Sequence, residues 1–173
     1  MRKMLAFAVA ILTVPMVGQS APKAEADAFA CLHFLDGTWE AKASGDGVQA
    51  LGTYTFAPEL RGHVYGRHST SAAGCTGPKS FDCEHGDLLY VYPEGSGLKA
   101  IYFDNEGHVI HYDVTTPTPT SAMFLSDGSQ PGPRFRLVYE LKAGVMTGRF
   151  QMQMPGQTDW RSYLEWSGAK KSM

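Results

Sequence analysis

The chain has 173 residues, with 15 basic and 17 acidic side chains and a formal charge of −2. Its Lys and Arg residues form no cluster beyond the N-terminus, which excludes a dedicated nucleic-acid binder. After the N-terminal apolar stretch no run is long enough to cross a bilayer as a helix, which takes roughly 20 residues.

The opening residues, MRKMLAFAVAILTVPMVGQS, follow the plan of a secretory signal peptide. Arg2 and Lys3 form a positive start, and residues 4–17 are apolar apart from Thr13 and Pro15. Small residues allow cleavage after Ser20, with Gly18 at −3, or as late as Ala26, with Ala24 at −3. A membrane-spanning helix is the rival, but this run is too short and contains a proline. Cys31 lies too far from the apolar run for a lipoprotein signal. Cleavage removes Arg2 and Lys3, leaving 13 basic against 17 acidic residues. The roughly 150 remaining residues suit one soluble domain, 27–170, with a sizeable core. The predicted location is periplasmic or secreted.

Residues 22–35, PKAEADAFACLHFL, form the one helical expectation, with Phe29, Leu32 and Leu35 along one side. From there the period changes to two. Strands are expected at 39–44, 48–56, 63–70, 88–92, 98–103, 108–114, 122–125, 135–141, 145–152 and 160–166, divided by turn signals such as GDG, PEGSG, DNEG and KAG. The run TTPTPT is expected to interrupt the chain before the seventh strand. Ten short strands without a long helix predict an all-β fold. A closed antiparallel meander barrel is the expected architecture, because an open meander leaves exposed edges, and a sandwich is the runner-up. The short helix is expected to plug one end.

Alternation assigns faces. Phe135, Leu137, Tyr139 and Leu141 share a side, as do Met146, Gly148, Phe150 and Met152. The inward set is aromatic: Tyr54, Phe56, Tyr90, Tyr92, Tyr102, Tyr112, Tyr139, Phe150, Trp160 and Trp166. A barrel of this size either fills its interior or holds one small ligand. Inward tyrosines suit a pocket, because each hydroxyl needs a partner.

The loop GCTGPKSFDCEHG brings Cys75 and Cys83 together as a disulfide in an oxidising compartment. Closing so small a loop contributes roughly 2–3 kcal/mol. The alternative, a metal held by Cys75, Cys83 and His85, matches no paired C-x-x-C zinc spacing. Cys31 is expected to be free and buried, and neither a metal nor a cofactor is expected.

The strand at 63–70 breaks the pattern. His63, Tyr65, Arg67 and Ser69 share one side, Val64, Gly66, His68 and Thr70 the other, and neither is apolar. An edge strand with solvated side chains explains it. If Arg67 instead points inward, it needs an anionic partner, which a carboxylate or phosphate ligand would supply. His111 and Asp113 share a strand side opposite Ile110, Tyr112 and Val114 and are expected outside. No G-x-S-x-G elbow, nucleophilic Cys or H-E-x-x-H occurs, so no catalytic residue is assigned.

Gly37-Thr38-Trp39 then stands at the head of the first strand, with Trp39, Ala41 and Ala43 facing inward. This G-x-W resembles the signature of the lipocalin/calycin superfamily, and the ten-strand count resembles its fatty-acid-binding and nitrobindin-like branches. IYFDNEGHVIHYDV and SYLEWSGAKK resemble segments of secreted bacterial lipocalin-like proteins. The departures are specific. Ala41 and Ala43 stand where nitrobindin-like chains carry glycines, and no His follows His111, so haem ligation is not carried over. Lipocalins set an Arg near the chain end against the Trp. Arg161 alternates outward here, leaving Lys170 or Lys171 as poor substitutes.

The resemblance implies a binding protein with a small, mostly apolar or amphipathic molecule inside the barrel. The expected lining is Trp39, Tyr54, Tyr65, Arg67, Tyr90, Tyr102, Tyr112, Tyr139 and Phe150. The alternatives are a barrel enzyme of isomerase or cyclase type using interior Tyr and His, and a structural or protein-binding envelope component.

Overall fold

In the computed structural model, residues 27–45, 47–79, 81–129 and 131–172 are described. The expected signal peptide lies outside them, as do residues 22–26 of the expected helix. Ten strands run in chain order: β1 (Gly37–Gly45), β2 (Val48–Glu59), β3 (Val64–Ser71), β4 (Gly86–Glu94), β5 (Gly97–Asp104), β6 (Val109–Thr118), β7 (Ser121–Ser126), β8 (Arg134–Lys142), β9 (Val145–Gln153) and β10 (Arg161–Lys170). Each pairs antiparallel with its sequence neighbours, and β1 pairs with β10 to close the barrel. This all-β closed meander is the expected architecture and is consistent with a calycin-like fold. Closure satisfies every strand edge.

Two ends follow from the meander. The connections after β1, β3, β5, β7 and β9 gather at one end, here called the mouth. Those after β2, β4, β6 and β8 gather at the floor, with the start of β1 and the end of β10. The floor half is packed solid. Trp39, Phe56, Tyr65, Phe124, Tyr139 and Met146 are almost completely buried there, and Phe29, Leu32 and Leu35 join them from the N-terminal segment. Phe56 sits at the centre of a ring cluster, 5.7 Å from Tyr65 and 5.3 Å from Tyr139 between centroids.

Among the described residues the expected N-terminal helix is not found. Within 27–35 the chain forms only a 3-10 segment, Ala30–Leu35. The indole N–H of Trp39 donates to the Leu35 carbonyl at 2.8 Å. Gly37, at φ 99°, turns the chain directly into β1 and so ends the segment on that side. Lys170 supplies the cation near Trp39, with Nζ 5.7 Å from the ring centre. Cys31, expected to be buried, is exposed, because only Leu32 and Leu35 of that segment face inward.

Three face assignments change. Tyr90 and Tyr92 point outward, because the pairing of β4 with β3 sets Asp87, Leu89 and Val91 inside. Trp160 also lies outside, with the Arg136 guanidinium 4.4 Å above its ring. A bulge between Ser162 and Leu164 shifts the register by one residue and reverses the alternation ahead of it. β3 is not an edge strand, since it lies between β2 and β4 with Tyr65 and Arg67 buried. β6 continues through TTPTPT to Thr118, and an irregularity between Thr115 and Thr118 accommodates Pro117, which has no N–H for the ladder.

Gly148 is required by packing. A Cβ there would lie 2.0 Å from the Trp166 ring, which folds over the bare backbone of β9. Gly148→Ala is expected to displace Trp166 and lower stability by about 1–3 kcal/mol, measured as a lower urea midpoint with reduced near-ultraviolet Trp dichroism.

Candidate functional site

Above the packed half the barrel is hollow. A cavity of about 450 Å³ opens at the mouth, within the range of small-molecule sites. Its two sides differ in chemistry. Phe135 and Leu137 of β8, Phe150 and Met152 of β9, Leu164 and Trp166 of β10, and Ala41 and Ala43 of β1 form an apolar wall. Opposite stand Arg67 and Ser69 of β3, Asp87 of β4, Tyr102 and Asp104 of β5 and Tyr112 of β6.

Register explains the polar wall. Arg67 lies opposite Leu89, and Asp87 opposite Ser69, so Arg67 and Asp87 are diagonal neighbours on the inner face. Asp104 lies opposite Asp87, and Tyr102 opposite Leu89. Arg67 donates from Nη2 to the Asp87 carboxylate and from Nη1 to the Tyr139 hydroxyl on the far side of the barrel. Both charged side chains are nearly inaccessible, at 6% and 7%. Beyond them His85 Nε2 approaches the second Asp87 oxygen at 3.4 Å, and the Tyr102 hydroxyl lies 3.2 Å from that same nitrogen and from Asp104 Oδ2. Asp104 also accepts from the ring and backbone of His108. A chain of polar contacts therefore runs from the barrel centre to the mouth.

Ionisation follows these contacts. Burial alone would raise Asp87, but the Arg67 guanidinium and the bonds to His85 and Arg67 outweigh it and hold the carboxyl below its usual range. Desolvation opposes the charge on Arg67, and Asp87 overcomes that and raises it. His85 is raised, chiefly by its bond to Asp87, against the opposing effect of burial. Burial pushes the Tyr139 phenol up to about 12 and raises Tyr54, Tyr102 and Tyr112 as well. All four phenols are neutral at physiological pH.

Several polar atoms at the inner end lack partners. Tyr112 Oη, Tyr54 Oη, Arg67 Nε and Trp166 Nε1 are buried without a hydrogen bond to the protein. Tyr54 and Trp166 are close enough to influence one another but do not form a bond. Native structures rarely leave such atoms orphaned.

Of the nine residues expected to line a site, Tyr54, Arg67, Tyr102, Tyr112 and Phe150 line this cavity. Trp39 and Tyr65 belong to the packed floor; the Tyr65 hydroxyl donates to Asp36 at 2.6 Å. Tyr139 lies beneath the cavity as the support of Arg67. Tyr90 is outside, edge-on to His68. His63, His111 and Asp113 are exposed, and Asp113 pairs with Lys99 on the outer surface.

Sequence reading did not identify His85, Asp87 or Asp104 as lining residues. The usable signal was Arg67, since a buried guanidinium requires a carboxylate nearby and Asp87 is the acid of the adjoining strand. Arg67 takes its anion from the chain itself rather than from a ligand.

The cysteine loop sits over the mouth. Cys75 and Cys83 are joined as a disulfide, which removes the metal alternative built on their thiols. Thr76 exchanges two backbone hydrogen bonds with Gln49, each 2.8 Å. Asn105 donates to Asp82 at 3.0 Å and so ties the loop to the β5–β6 turn. At this rim Asp82, His85 and Glu106, and also Asp104, Glu106 and His108, bring possible metal-ligand atoms within 4.8 Å of one another. Asp104, however, is already occupied by the turn and by Tyr102. No helix among the described residues is long and apolar enough to cross a membrane. No family model and no curated protein matches the chain.

Removing either Arg67 or Asp87 strands a buried charge. Arg67→Met or Asp87→Leu alone is expected to cost about 3–5 kcal/mol in chemical denaturation, and the pair together far less than the two costs added. Additive losses would contradict the pairing.

The raised His85 contributes stability below its unfolded value of about 6.5 and loses it as pH rises through the higher folded value. Asp87, held low, contributes above the ordinary carboxylate range and loses that contribution only in acid. His85→Gln is therefore expected to lower the melting temperature more at about pH 5.5 than at about pH 8.5.

Proposed function

We propose that the protein is a lipocalin-like binding protein, secreted or periplasmic, that holds one small, mostly apolar molecule in the hollow half of its barrel. The observation that carries this reading is the cavity of about 450 Å³ with an apolar wall facing a polar one. A protein interior is ordinarily close-packed, and the floor half of this barrel is. A void of this size above it, open at the mouth, is the form of a binding site. The secreted location rests on the N-terminal signal-like stretch and on the disulfide, which suits an oxidising compartment.

The convergence of His85, Asp87 and Tyr102 inside the cavity favours a second reading, a barrel enzyme in which His85 moves a proton. The two readings differ in whether the bound molecule is recovered unchanged. The envelope-component reading has no such support, because the interior is not filled.

Titration with N-phenyl-1-naphthylamine, followed by its fluorescence, tests binding. One saturable site is expected, weakened at least about ten-fold in Ala41→Phe, which fills the cavity from β1. Equal binding by a folded Ala41→Phe protein would place the probe elsewhere and overturn the proposal.

A further inference from the structure

Resting on that reading, we infer that the ligand carries an uncharged carbonyl group, inserted head first towards Tyr112, Tyr54 and Arg67, with its hydrocarbon part against the β8–β10 wall. The inference comes from two inventories of the cavity, one of charge and one of hydrogen bonds.

The charge inventory excludes an acid. Asp82, Asp87, Asp104 and Glu106 line the cavity against Arg67, His85 and His108. The lining is net negative even with both histidines protonated. Its deepest cation is already committed, with Arg67 giving one terminal nitrogen to Asp87 and the other to Tyr139. A carboxylate entering here would lose its hydration and find no free counter-charge.

The hydrogen-bond inventory excludes a pure hydrocarbon and an amine. The unpartnered atoms at the inner end are Arg67 Nε–H and Trp166 Nε1–H, which only donate, and the Tyr54 and Tyr112 hydroxyls, which can donate. Tyr54, Tyr112 and Arg67 are each more than nine-tenths buried. An ammonium can donate to the two hydroxyls but has no lone pair for the Arg67 and Trp166 N–H groups, which stay unpaired. A hydrocarbon leaves all four atoms unpaired. A carbonyl oxygen of a ketone, aldehyde, ester or amide is uncharged, and its two lone pairs accept from two of these donors, which fits both inventories. The four atoms have almost no access to solvent in this conformation, so the head meets them only when the side chains around them move.

The test is calorimetric titration of the protein at about pH 8 with 2-decanone, decanoate, decylamine and decane, which share a chain length and differ at the head. The ketone is expected to bind at least about ten-fold more tightly than the other three. Tyr112→Phe is expected to weaken the ketone about five-fold, leave decane unchanged and melt no lower than the wild type, because the lost hydroxyl had no partner. Decanoate or decylamine binding as tightly as the ketone overturns the head-group inference while leaving the binding protein intact, as does decane matching the ketone. Tyr112→Phe binding the ketone undiminished also overturns it. Failure of all four probes to bind overturns both this inference and the proposed function.

Discussion

A guanidinium with almost no access to water stands across the middle of this barrel. Arg67 reaches from β3 to Asp87 on one side and Tyr139 on the other, and its burial decides how the interior is divided. Towards the floor, aromatic rings pack against one another and against the 3-10 segment. Towards the mouth, side chains can no longer close over the ion pair and the barrel stays open. A charge pair in this setting adds little net stability but makes the loss of either partner costly. Its value to the fold is to hold a polar wall in place where a purely hydrophobic barrel would collapse its centre.

From that pair the rest of the site follows by register. Because neighbouring strands are antiparallel and in step, Asp87 brings Asp104 and Tyr102 onto the same wall, and the cysteine loop brings His85 beside them. The opposite strands line the same cavity with Phe, Leu and Met. An amphipathic cavity thus arises within one closed sheet whose two sides face each other across the barrel, one of them with polar residues at its inner positions. Gly148 leaves room for Trp166 to fold over β9.

Much of the architecture was legible because single-sided strands write their period directly. All ten strands stand close to where alternation places them, and closure followed from the need to satisfy edges. Faces were harder. In β4 both sides are largely apolar, Leu88, Tyr90 and Tyr92 against Leu89 and Val91, so alternation could not choose between them, and pairing with β3 decided. Trp160 was displaced by a bulge at Tyr163 that has no local marker. The site was half legible. Inward tyrosines and a possible inward Arg67 could be read, but Asp87 and His85 matter only through contacts between strands, which no single segment records. The three-residue G-x-W carried information about shape and none about cargo.

The account stands on the claim that the hollow half of the barrel is occupied in the protein's own setting. Native mass spectrometry of the full chain purified from its own compartment measures this most directly. The account predicts one small molecule bound per chain, released on denaturation and absent from Ala41→Phe prepared in the same way. A wild-type protein that carries no added mass, or the same added mass in the filled variant, would contradict it.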